Sequence, residues 1–123
     1  MLKLFLLIAS INGFLSVAIG AFGAHGLEGK ISERMLANYH TGVNYQMFHT
    51  VGLLGVAFLS TFVSTPMLVW AGSLMTAGIV FFSGSLYVMA LTGKTILGAV
   101  TPIGGVLFLA GWVLLGLAAL KLS

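Results

Sequence analysis

Between Asn38 and Thr50 the chain reads NYHTGVNYQMFHT, placing two histidines, two tyrosines, two asparagines and a glutamine in one short stretch. An imidazole with its unperturbed pKa of about 6.5 can move a proton or act as a general base, and a neighbouring tyrosine or arginine can stabilise developing negative charge. The same side chains can instead hold a polar ligand or simply satisfy one another. On a helix each residue turns about 100°, so His40 and His49 point to opposite sides and cannot share a metal ion. His40 lines up with Glu33 and Asn44, His49 with Arg34, Asn38 and Tyr45, and a third stripe holds Tyr39, Gln46 and Thr50.

One further histidine, His25, follows the glycine-rich GAFGA, where tight backbone turns are easy. It is placed to meet His40 and Glu33 near one end of the bundle. As a metal site the set is poor. The chain has no cysteine and only two acids, Glu28 and Glu33, and His25 and His40 lack a short helical spacing. The candidate binding residues are therefore His25, Arg34, Asn38, His40, Asn44, Tyr45 and His49, with no metal and no cofactor called for.

These residues sit in a chain whose solvent is lipid. Of 123 residues, 59% are hydrophobic and 6% charged, against about a quarter charged in soluble domains. A chain of this length leaves too much surface exposed to hide so much apolar side chain in water. The five basic residues, Lys3, Lys30, Arg34, Lys94 and Lys121, are scattered singly, which excludes the clustered basic face of a nucleic-acid binder. Without cysteine there is neither a disulfide nor a thiolate nucleophile.

About 20 apolar residues cross the hydrocarbon as a helix, and four segments reach that length: about 4–24, 42–63, 66–91 and 102–120. Glycines and the charges of Glu28 and Lys30 stop the first. Ser32 is a candidate N-cap for a second helix running to about Val63, some 46 Å at 1.5 Å per residue, longer than the membrane is thick. Its first part, about 32–41, is polar and is expected at the interface, with a bend at Gly42 and protein on every side to satisfy its polar groups. Thr65 and Pro66 form a cap and first turn for the third helix. The last is expected to begin after a short interfacial piece, with Thr101 as its cap and Pro102 in its first turn. Trp70 suits an interfacial anchor, and Trp112 a core or lipid-facing place.

With little hydrophobic drive between helices in lipid, close packing rests on small residues. Helix one offers a stripe of Asn12, Ser16, Gly20 and Gly23, helix three Ser73, Thr76, Ser83 and Tyr87, and helix four Gly104, Gly105, Gly111 and Gly116. The surplus of such residues points to self-association as a homo-oligomer.

GAFGAHGL at Gly20–Leu27, YHTGVNYQMFHT at Tyr39–Thr50, FSGSLY at Phe82–Tyr87 and TPIGG at Thr101–Gly105, with Gly111 and Trp112 after it, resemble the bacterial membrane family called domain of unknown function 423. The resemblance implies a multi-pass bacterial plasma-membrane protein, implies no reaction, and marks His25, Tyr45 and His49. The expected architecture is thus an all-α, four-helix transmembrane bundle forming one domain. The leading functional expectation is a non-enzymatic scaffold or binding module taking a lipid headgroup, small molecule or partner helix on the polar face of helix two. The rivals are a membrane-embedded enzyme using His49 or His40 as base, and a small proton-coupled transporter.

Overall fold

The computed structural model describes residues 1–123, and every regular element in it is helical. α1 (Leu2–Phe22) continues into a π-helical turn, Gly23–Leu27. α2 (Glu33–Leu59) follows a loop in which Gly29 takes φ 79°, a left-handed conformation that favours glycine. α3 (Pro66–Gly78), a π-helical segment (Ile79–Ser83) and α4 (Gly84–Thr92) make one long rod. Gly93 ends it at φ 74°, its N–H bonded to the Met89 carbonyl at 2.8 Å. A 3₁₀ segment, Thr95–Ala99, leads into α5 (Thr101–Ala119).

Two of the expected caps are present: Ser32 Oγ accepts from the Met35 N–H at 3.1 Å, and Thr65 Oγ1 from the Met67 N–H at 3.4 Å. Three expectations require correction. The first helix runs past residue 24 to Leu27, because a π turn absorbs the glycines instead of breaking on them. α2 continues as α-helix through Gly42. That glycine serves close approach: its carbonyl accepts from Ser83 Oγ at 2.7 Å, and a Cβ there would lie 2.8 Å from the Tyr87 ring. Thr101 is not a cap, since its hydroxyl pairs with Ser85 Oγ at 2.6 Å and ties α5 to α4.

Helices that follow one another in sequence run antiparallel, so that α2 and α5, which touch at His49–Trp112 and Gly55–Leu115, run parallel. Tyr39 donates to the Ile19 carbonyl (2.6 Å) and Gln46 to Asn12 (2.9 Å), which sets the α1–α2 register. Phe5 and Ala9 of α1 join Leu53, Val56, Leu68 and Met75 in an apolar core at the end holding the chain termini. A smaller cluster of Leu27, Tyr39, Val43 and Ala90 closes the other end. Between them lies a polar layer containing Asn12, Ser16, Gln46, Thr50 and Ser83, all buried.

α5 crosses the π segment so closely that a Cβ on Gly104 would run into the backbone of Phe82. Backbone cannot swing aside as a side-chain tip can, so Gly104→Ala is expected to cost about 1–3 kcal/mol. Gly84→Ala, where a Cβ meets nothing, is expected to be neutral or slightly stabilising. Denaturant unfolding in mild detergent compares the two.

Three helical stretches are long and apolar enough to cross a membrane: Leu2–Leu27, Pro66–Thr92 and Thr95–Ala119. α2 does not qualify by composition, because its polar half dilutes its hydropathy. The expectation that protein surrounds α2 is also corrected. Thr41, Asn44, Tyr45, Phe48, Val51 and Phe58 form an uncovered face.

Candidate functional site

His49 lies on the covered side of α2, 2% exposed. Its Nδ1 is 2.8 Å from the Tyr45 carbonyl oxygen one turn earlier, and its Nε2 is 2.8 Å from Trp112 Nε1 on α5. A carbonyl only accepts and an indole N–H only donates, so the ring is neutral with its proton on Nδ1. Its face stacks on Phe108, centroids 3.5 Å apart and planes 9° apart. Phe48 meets its edge at 5.4 Å.

This imidazole forms one wall of a groove between α2 and α5, with a volume of about 500 Å³. Tyr45, Phe82, Phe108 and Trp112 supply aromatic surface, and Val106 flanks the opening. The tyrosine ring stands 4.5 Å from Phe82 and 6.3 Å from Phe108. Gly105 also lines the groove, where it presents no side chain to fill the space. Tyr45 is 44% exposed, and its side chain makes no hydrogen bond within the chain, while its backbone carbonyl also meets His49 Nδ1. Its hydroxyl is the free polar group of the groove. Phe82 reaches the groove from the π segment; such bulges recur at functional sites because they re-aim a side chain that a regular helix would place elsewhere.

Of the seven residues singled out in the sequence, the structure brings Tyr45 and His49 together here. His40 is half-buried at the loop end of the bundle, its ring edge-on to Tyr39, in a separate hollow with Glu28 and Glu33. His25 is exposed in the π turn and does not line that hollow. Arg34 is exposed in the first turn of α2. Asn38 is half-buried and directs Nδ2 towards Met35 Sδ at 3.9 Å. Asn44 projects from the uncovered face of α2. No group of three or more metal-ligating side chains comes together.

Trp112 packs half-buried against the apolar core, and it is also the hydrogen-bond donor that fixes the His49 tautomer. Sequence reasoning also passed over Gln46, whose carboxamide donates to Asn12 Oδ1 (2.9 Å) and accepts from the Tyr87 hydroxyl (2.7 Å). Its place on a stripe with Tyr39 and Thr50 was the available signal; its partners on two other helices were not.

A family described as "Protein of unknown function (DUF423)" matches residues 19–105, a stretch that runs from the end of α1 through the polar half of α2 to the first turn of α5. The chain belongs to the DUF423 family. The UPF0382 membrane protein YwdK of Bacillus subtilis is 51% identical over 121 residues, covering 98% of each chain. UPF0382 membrane proteins of Staphylococcus epidermidis and Staphylococcus haemolyticus are each 49% identical, covering 99% and 98% of both chains respectively. No solved structure matches. The resemblance read from the sequence is therefore borne out, and this DUF423 chain is a membrane protein.

Proposed function

We propose that this protein is a four-crossing component of the bacterial plasma membrane that holds a lipophilic ligand in the groove between α2 and α5. The observation that carries the reading is the groove itself, apolar and aromatic with one uncommitted hydroxyl. That combination suits a molecule whose body is hydrocarbon or a flat ring and whose polar atom pairs with Tyr45. A lipid acyl chain near its ester, or a lipophilic small molecule, has this character.

The fourth crossing is α2, and its polar groups support that reading. At membrane depth an unpaired donor costs kilocalories, and Gln46, Thr50, Ser83 and Tyr87 each have a partner inside the bundle. The buried polar side chains of α2, Gln46, His49 and Thr50, are covered and paired, whereas Thr41, Asn44 and Tyr45 lie on its uncovered face. A binding role is favoured over a base-catalysed reaction because both nitrogens of His49 are already engaged. Arg34 and His25 lie away from the groove, so recognition of a headgroup by them is no part of this reading.

Val106 is 63% exposed on the groove wall, so a larger side chain fills the groove without strain on the core. Delipidated wild-type protein is expected to gain thermal stability when polar lipid extract from a bacterial plasma membrane is added. The gain reaches about 2.7 kcal/mol once the ligand stands a hundredfold above its Kd. Val106→Trp is expected to lose that gain. An equal response in both proteins would overturn the groove as the site.

A further inference from the structure

We infer that a second copy of this chain packs on the uncovered face of α2, with Asn44 of the two copies paired across a two-fold axis along the membrane normal, and that this contact covers the open side of the ligand groove. The inference rests on α2 crossing the membrane.

The depth of Asn44 follows from the α1–α2 register. Asn12 is the central residue of α1 (Leu2–Phe22), and Gln46 bonds to it. Asn44 lies two residues away, about 3 Å along the axis, and so near the bilayer midplane. Yet it points outward, exposed, with no hydrogen bond to its carboxamide from within the chain. The buried polar side chains at this level, Asn12, Thr50 and Tyr87, are all satisfied, and the Tyr45 hydroxyl faces the ligand groove. Hydrocarbon offers the Asn44 amide neither donor nor acceptor.

A carboxamide carries both, so it is its own complement across a two-fold axis. A lipid ester could accept from it but could not donate to its oxygen. The surface around Asn44 is shaped for a neighbouring helix. Two shallow hollows flank the residue: one of about 330 Å³ lined by Asn44, Tyr45 and Phe48, the other of about 280 Å³ lined by Asn44, Met47, Phe48 and Val51. In a parallel α2–α2 pair the side chains of one copy enter the hollows of the other. Most of the small-residue stripes are used within the chain, where Gly20, Gly23, Gly104 and Gly111 meet neighbouring helices, while Gly116 and Ser73 stay open.

The seam reaches the ligand groove because Tyr45 and Phe48 line both. A second copy seated on α2 therefore shields the Tyr45 hydroxyl from lipid on its open side. The bound molecule would lie at the edge of the dimer contact.

The chain has no cysteine, so introduced thiols report single positions. Thr41 is exposed on the seam. Val17 of α1, 71% exposed, stands at the same depth in the α1–α2 register and serves as the control. In native membranes treated with a short permeable bismaleimide, Thr41→Cys is expected to give a product of twice the chain mass and Val17→Cys to give little. Adding Asn44→Leu to Thr41→Cys should lower the yield about tenfold, the weight of a hydrogen-bonded interhelical pair, and Asn44→Gln should restore part of it. Equal cross-linking at Val17, indifference to Asn44→Leu, or a product of another mass would each overturn the inference. Labelling of Val51→Cys by a membrane-impermeant maleimide separates the two levels. Modification from water would sink the four-crossing reading itself, whereas protection without cross-linking would sink the dimer alone.

Discussion

Gln46→Ala is expected to destabilise the protein by about 2–4 kcal/mol, because it strands two buried partners at once. Gln46 is 3% exposed and joins three helices: it donates to Asn12 of α1 and accepts from Tyr87 of α4. Truncation leaves the Asn12 oxygen and the Tyr87 hydroxyl facing a cavity, and each unsatisfied group costs about 1–3 kcal/mol. The sum is moderated because the unfolded chain in a membrane or micelle also finds partners. Val17→Ala, on the open side of α1, is expected to stay within about 0.5 kcal/mol of wild type. Unfolding in graded denaturing detergent measures both, and similar costs for the two variants would show that the polar layer does not hold the bundle together.

His49→Ala is the second large effect, about 2–4 kcal/mol, with the magnitude set by a buried ring lost from its stack on Phe108. Part of that cost belongs to the Trp112 bond. A double-mutant cycle of His49→Phe and Trp112→Phe isolates it, and a coupling of about 1 kcal/mol is expected, as for other interhelical hydrogen bonds in membranes. A histidine kept for proton transfer would show little coupling to Trp112 and little stability loss. The cycle therefore separates a positioning role from a catalytic one without knowledge of any substrate.

Much of the fold was legible because it is written in local chemistry. Ser32 and Thr65 cap where their side chains can reach a free N–H, and Pro66 starts a helix where a missing donor costs nothing. The hydropathy of α1, the α3–α4 rod and α5 was equally direct. α2 was harder. Its polar residues were visible, and the stripe of Tyr39, Gln46 and Thr50 is a buried face, but the other two stripes mix covered and uncovered residues, because helical periodicity does not state which side a neighbouring helix covers.

That limit accounts for the site. Tyr45 and His49 were found together because they are one turn apart on one helix. Trp112, Phe82 and Phe108 were missed because they enter from α5 and the π segment, and no local signal fixes a register between helices 63 residues apart in sequence. His25 was drawn in by the family resemblance and its glycine-rich turn and Arg34 by its alignment with His49, and the structure leaves both exposed at the loop end of the bundle. The π segment at Ile79–Ser83 carried no pattern of its own; it becomes intelligible through Gly104, which lets α5 reach the Phe82 backbone.

Native mass spectrometry of protein released from mild detergent reads out whether the α2–α5 groove is occupied in the membrane. Wild type is expected to carry one reproducible lipid-sized or smaller lipophilic adduct per chain, and Val106→Trp, folded and otherwise unchanged, is expected to carry none. A wild-type protein free of any adduct, or a Val106→Trp variant that retains the same one, would contradict the account.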